Sequence, residues 1–202
     1  MGITTVGMNQ LEQMLQQNGL KFDGLKMAEL GNQFLYLDPP SQYPHLYVAK
    51  GYFESKGVKH TSFDINGKDG VIPCDLSNPL EDQLSDKSIL GSFDVVTDFG
   101  TGEHVPDFYG CMRNIYNLCK PGGLVLRINP LTNNWPGHGY HYMTIDITNQ
   151  LAKVCGYAVQ YLVTQPTLGN SVDGWQVFTN LKKLSDKPFP SLADFDVHPL
   201  KK

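Results

Sequence analysis

Cysteine is scarce and unpaired in this chain: four residues in 202, Cys74, Cys111, Cys119 and Cys155, with no Cys-x-x-Cys spacing. That excludes a disulfide scaffold and a cysteine-rich zinc module, and fits reduced packing residues of a cytosolic protein. Basic residues are also few. Sixteen Lys and Arg against 20 Asp and Glu give a net charge of -4, which provides no electrostatic footprint for duplex nucleic acid. No apolar run reaches the length needed to span a bilayer. The start "MGITTVGMNQ" lacks the basic beginning and apolar centre of a signal peptide, and Val6 stands where a myristoylation signal needs Ser or Thr. No GxxxxGK[ST] phosphate loop is present, nor any internal repeat or low-complexity block. The expectation is a cytoplasmic protein without nucleic-acid or membrane partners. Its oligomeric state is left open.

What the sequence does contain is alternation. The length suits one α/β domain over 1–202. A helix is expected over 1–20, with Met8, Leu11, Met14 and Leu15 on one face and Thr4 or Thr5 as its cap. Then come "GLKMAEL" as a strand, "YPHLYVAKGYFESKG" as a helix ending at Gly57, and "VKHTSFDI", "GVIPCDL" and "FDVVTDF" as strands. "VPDFYGCMRNIYNLCKPGG" reads as a helix stopped by Pro121-Gly122-Gly123, "LVLRINP" as a strand and "DITNQLAKVCG" as a helix. Such alternation implies a mostly parallel sheet with helices on both faces. "YAVQYLVTQ" and "GWQVFTNLKKL" have only a loop between them and should pair as an antiparallel hairpin. The Pro-rich tail over 186–202 is expected to lie loosely on the surface.

The acids gather at one edge. Glu29, Asp64, Asp75 and Asp98 stand at the expected carboxyl ends of successive strands, where open parallel sheets bind ligands. A carboxylate there accepts both hydroxyls of a ribose, and an acidic rim suits a cationic nucleoside better than a nucleotide phosphate. Each acid also has a plainer reading. Asp64 can cap the turn "INGKDG", Asp75 can form the turn "DLSNP", and Asp98 can either face a substrate or satisfy loop amides around Gly100 and Gly102.

Four segments in order, "AELG", "SFDI", "PCDLSNPL" and "FDVVTDFGTGEHVPDFYGCMRNIYNLCKPGGLVLRINP", together resemble the class I S-adenosylmethionine-dependent methyltransferases. The resemblance covers roughly Leu25 to Asn129, and the terminal hairpin extends it. It implies a Rossmann-like fold with a mostly parallel seven-stranded sheet and a C-terminal antiparallel hairpin. S-adenosyl-L-methionine is the implied cofactor. Glu29, Gly31, Asn32 and Gln33 would form the first motif, Asp64 would hold the ribose, and Ile65, Asn66, Asp75 and Leu76 would surround the adenine.

The first motif is poor in glycine. Gly31 matches the pattern, but Gln33 and Leu35 replace the second and third glycines. Glycine serves there by adopting positive φ and by leaving room for the methionyl arm. Asn32 meets the first demand, since Asn tolerates the left-handed region. Gln33 either contacts the cofactor or fills its place. Leu35 is no defect if the chain has turned toward the core. "LDPPS" is reminiscent of the Asp-Pro-Pro motif of amino-methylating DNA enzymes, but Asp38-Pro39-Pro40 follows the wrong strand and ends in Ser41, so a loop stiffener is expected.

Candidates for chemistry cluster in two loops. His104 in "TGEHVP" and His138 and His141 in "WPGHGYHYMT" supply groups tuned to neutral pH. With Asp98 they form the expected catalytic set. Glu103 and His104 have the alternative of organising a helix start. Trp135, Tyr140 and Tyr142 are the expected substrate-binding aromatics, equally readable as a buried aromatic loop. His138-x-x-His141 has metal spacing but no evident third ligand, so no metal is expected. The overall expectation is methyl transfer to oxygen or nitrogen of a small molecule by in-line displacement, for example to a sugar or polyketide-like hydroxyl. The alternative is a non-catalytic protein of this fold that binds another ligand or a protein partner.

Overall fold

The computed structural model describes residues 2–37, 48–166 and 174–201. The proline segment Asp38–Pro40, the start of the second expected helix and the hairpin loop over 167–173 lie outside them. The chain opens with β1 (Gly2–Thr4) and α1 (Thr5–Gln17), whose N-cap is Thr4: its Oγ1 accepts from the Gly7 amide at 3.2 Å. β2 (Lys26–Leu30), β3 (Phe34–Tyr36), α2 (Ala49–Ser55), β4 (Lys59–Asp64), β5 (Ile72–Pro73) and the single-turn α3 (Leu80–Gln83) follow. Next come β6 (Phe93–Phe99), a 3₁₀ turn at Gly102–His104, α4 (Phe108–Leu118), β7 (Cys119–Pro130), β8 (His141–Tyr142) and α5 (Ile145–Cys155). β9 (Tyr157–Pro166), β10 (Trp175–Lys183) and β11 (Leu200–Lys201) complete the order.

Seven strands form the main sheet in the order β5-β4-β2-β6-β7-β10-β9. The first five run parallel, and β10 is antiparallel to both β7 and β9. Chain progress along the sheet reverses between β2 and β6, so their carboxyl ends, Leu30 and Phe99, bound the crevice where this architecture binds ligands. Side chains alternate across the sheet. Met27, Val95, Leu124 and Leu126 pack under α1 and α2, while Ala28, Leu30, Val96 and Val125 pack under α4 and α5. Both faces are thus covered, which is why these strands read as continuous apolar runs.

Four local features differ from the sequence reading. β1 pairs in parallel with β3, so Phe34–Tyr36 is a strand where a cofactor loop was expected, and Leu35 is buried in the core. α4 ends at Leu118, three residues before Pro121, because Cys119 already has extended backbone. A short antiparallel pair joins β11 to β8. The tail is docked rather than loose. Tyr109 Oη donates to Pro190 O at 2.9 Å, Tyr116 Oη donates to Lys187 O at 2.7 Å, and Phe195 and Val197 are buried among the α4 aromatics. Aromatic area removed from water outweighs the entropy of ordering this proline-rich segment.

Candidate functional site

The turn after β2 is built by one glycine. Gly31 has φ +82°, and its amide donates to Phe63 O at 2.8 Å. Asn32 does not take over a left-handed position; its role is polar, with the amide donating to Asp64 Oδ2 at 2.7 Å and Nδ2 to Asp69 Oδ2 at 2.6 Å. Gln33 is fully buried. Its Nε2 donates to Leu30 O at 3.0 Å and to Thr101 Oγ1 at 2.8 Å, and Thr101 in turn donates to Leu30 O at 2.8 Å. The side chain therefore stitches the end of β2 to the loop after β6, in the space a glycine would leave open. Among the described residues, Gln33 Oε1 has no hydrogen-bond partner.

Glu29 lies elsewhere. Alternation along β2 turns it away from the crevice toward α2, where its Oε2 sits 3.4 Å from His60 Nε2. Burial pushes its pKa up, and His60 pulls it part of the way back. This placement gives Glu29 no face toward a cofactor, against the expectation for the first motif.

Asp64, by contrast, ends β4 on the rim. Its Oδ1 accepts from the Asn66 amide at 2.9 Å and its Oδ2 from the Asn32 amide, leaving each oxygen a further lone pair. Asp64, Ile65, Cys74, Asp75, Leu76, Thr101, His104, Val105 and Pro106 line a pocket of about 170 Å³. Ile65 is 78% exposed, an apolar lip on an otherwise charged rim. Asp75 receives the Ser77 amide and Asn78 Nδ2 at 2.8 and 2.9 Å, so it forms the turn as well as the wall. Asn66 lies just outside, its Oδ1 accepting from the Lys68 amide.

Asp98 is sealed. Its Oδ1 accepts from the amides of Thr101 and Gly102, and its Oδ2 from Arg127 Nε and Asn129 Nδ2, both at 3.1 Å. With every direction used and no exposed surface, it anchors the loop rather than serving the catalytic role expected of it. Through that anchor Asn129 Nδ2 also reaches Glu103 Oε2 at 3.1 Å.

The two histidine loops do converge. Tyr140 N donates to Glu103 O at 2.7 Å, and the backbone at Gly139 passes so close that a Cβ there would stand 2.8 Å from the same oxygen. His138 is thereby laid against His104, ring centroids 4.8 Å apart, with its Nε2 3.6 Å from Glu103 Oε1. Partial burial lowers the His104 pKa; Glu103 opposes this and His138 reinforces it. His141 points the other way, its Nε2 3.0 Å from Pro106 O and its ring against Phe108. Tyr142 is buried and pins the loop: its hydroxyl donates to Trp135 O at 2.5 Å and accepts from His138 N at 3.0 Å. Trp135 Nε1 donates to Trp175 O at 2.8 Å. Of the three aromatics, Tyr140 alone is both exposed and on the wall of the second pocket. That pocket, about 540 Å³, is lined by His104, Pro106, Gly137, His138, Gly139, Tyr140 and His141. His104 and Pro106 belong to both pockets.

Sequence reading missed Thr101, Pro106 and Asn129. Thr101 and Pro106 are the two ends of the motif "TGEHVP", so position was the available signal; nothing in the sequence pairs Asn129 with Glu103.

Residues 67–126 match the family described as a methyltransferase domain. That span begins beyond Asp64 and leaves out the Gly31–Gln33 turn. No curated protein sequence matches the chain. Among solved structures, the chain is similar to the Burkholderia thailandensis 1,6-didemethyltoxoflavin-N1-methyltransferase with bound 1,6-didemethyltoxoflavin and S-adenosylhomocysteine: TM-score 0.60, 14% identity, 88% of this chain and 77% of that one covered. It is similar also to Haemonchus contortus phosphoethanolamine N-methyltransferase 2, in complex with phosphomonomethylethanolamine and S-adenosylhomocysteine, at TM-score 0.59 and 15% identity over 91% of this chain and 54% of that one. A third is the [4+2]-cyclase SpnF, TM-score 0.57, 9% identity, 87% of this chain and 80% of that one covered. The chain has the Rossmann-like fold of the class I methyltransferases.

Proposed function

We propose that the protein is an S-adenosylmethionine-dependent methyltransferase acting on oxygen or nitrogen of a small molecule. One observation carries this reading: a nucleoside-scale pocket at the switch point shares a wall, His104 and Pro106, with a larger pocket lined by histidine and tyrosine. Two similar structures were crystallised with S-adenosylhomocysteine, which supports the choice of cofactor.

The residues fit the adenosyl part of that cofactor. Asp64 offers free lone pairs to ribose hydroxyls, and Ile65, Leu76 and Val105 offer apolar cover to a base. The methionyl end fits only if the Gln33–Thr101 stitch opens. When bound, S-adenosylmethionine supplies an activated methyl group. The chain's own contribution is then orientation and proton acceptance. The shared wall aims the first pocket at the second. His104, held neutral by burial, takes the acceptor's proton, and Glu103 stabilises the resulting imidazolium against the opposing effect of His138. His141 and Tyr142 hold the loop that closes over the acceptor, with Tyr140 at its mouth.

A second reading follows from Gln33 itself. A fully buried amide in the cofactor's path favours a protein of this fold that binds another ligand, and the similar [4+2]-cyclase is named for a chemistry other than methyl transfer. Calorimetry with S-adenosylmethionine and S-adenosylhomocysteine separates the two. Binding supports the first reading; no heat at millimolar ligand abandons it for the second.

A further inference from the structure

The metal spacing of His138-x-x-His141, from which no metal was expected, does not bring the two rings together, because His141 is committed to Pro106 O. In its place the fold assembles a different trio. Glu103, His104 and His138 each present one donor atom, and all three atoms lie within 4.8 Å of one another. The tetrahedral edge of a zinc-type site, with ligands at about 2.0–2.1 Å, is about 3.4 Å. The Glu103–His138 distance of 3.6 Å is already near it. The remaining closure falls on His138, whose loop is flanked by Gly137 and Gly139.

We propose that Glu103, His104 and His138 form a two-histidine, one-carboxylate site for a first-row divalent cation, with its open positions facing the larger pocket and taking an anionic oxygen ligand. Three features argue for a built site rather than a chance cluster. Glu103 is buried and its Oε2 is fixed by Asn129, so its Oε1 is left aimed at His138; such outer-shell orientation is what metal carboxylates require. The connected network of Arg127, Asp98, Asn129 and Glu103 contains two carboxylates and one guanidinium, a net -1 that a divalent cation with one anionic oxygen ligand balances. Finally, both imidazoles border a pocket of about 540 Å³ whose mouth is open, so the cation would keep exchangeable positions. Two nitrogens and one oxygen suit zinc, iron(II), cobalt or manganese, and disfavour the all-oxygen preferences of magnesium and calcium.

With the cation bound His104 is a ligand and not a base, so its proton acceptance in the methyl-transfer reading belongs to the cation-free protein, and the test uses no methyl transfer. Tag-free protein is titrated with Co²⁺, followed by visible absorption and calorimetry, then challenged with Zn²⁺ and Mg²⁺. One equivalent of Co²⁺ is expected, displaced by Zn²⁺ and unaffected by Mg²⁺. His104→Ala and His138→Ala should each weaken binding at least tenfold, Asn129→Ala by about 10- to 100-fold, and His198→Ala, a tail histidine outside the trio, not at all. Circular dichroism confirms that each variant is folded; the His138 side chain is 38% exposed and lies outside the buried core. Failure to take up Co²⁺, or uptake unchanged in both histidine variants, overturns the proposal. Absent binding of S-adenosylhomocysteine with Co²⁺ uptake preserved would overturn the methyltransferase reading alone.

Discussion

Replacing Gln33 by alanine should tighten the binding of S-adenosylhomocysteine and leave that of adenosine unchanged. In the wild type the methionyl arm can settle beside β2 only when the Gln33 amide leaves Leu30 O and Thr101 Oγ1. Each such bond contributes about 0.5–1.5 kcal/mol net, so displacement costs about 1–3 kcal/mol, or roughly 5- to 150-fold in Kd. The lower end is favoured, because Gln33 Oε1 is already unpartnered and its removal relieves a buried polar atom. Folding stability should fall by about 1–3 kcal/mol, because the same two bonds are lost from the folded state, with loss of the unpartnered Oε1 offsetting part of it. Adenosine serves as the internal control: its pocket has no Gln33 in its lining. Calorimetry of both ligands on both proteins is the assay. A weaker S-adenosylhomocysteine complex in the variant would refute the reasoning and make Gln33 a contact. An equal gain for adenosine would refute it differently, by showing general loosening.

Three further outcomes are expected. The His104 imidazole should titrate below its ordinary 6.5 by NMR, with His138→Ala moving the midpoint up and Glu103→Gln moving it down; a midpoint at or above 6.5 contradicts the burial argument. Tyr142→Phe removes the hydroxyl that joins Trp135 O to His138 N and should cost about 1–2 kcal/mol, with faster amide exchange confined to the 135–142 loop; unchanged exchange there would count against Tyr142 as its pin. Glu29 keeps its proton to higher pH in the folded than in the unfolded chain, so stability should fall as pH rises from 4.5 through the raised value. Glu29→Gln should flatten that slope in denaturant melts, and an undiminished slope would assign it to another group.

The seven-stranded sheet was legible because its strands are long and apolar and its helices end in recognisable stops. "FDVVTDF" could hardly be anything but a central strand, and Asp64 at the end of "SFD" marked the rim. β1, β3, β8 and β11 were not legible: two or three residues carry no periodicity, and each exists only through a partner distant in the chain. The site divided along the same line. Which loops meet at the crevice followed from topology, and His104, His138 and Asp64 line the two pockets there. Which way a side chain turns did not. Glu29 faces α2 through the pleat of its strand and His141 is claimed by a carbonyl, neither encoded in residue type; Asp98 follows its loop-amide reading, its Oδ1 accepting from Thr101 and Gly102.

The pairing of β11 with β8 places Leu200 opposite Tyr142 and Lys201 opposite His141. One wall of the acceptor side is thus closed from the far end of the sequence, across an exposed stretch that includes Leu184 and Leu192. A protease cut in that stretch would cost the sheet none of its hydrogen bonds yet release the wall, so the nucleoside pocket and the acceptor pocket should be lost in two separate steps.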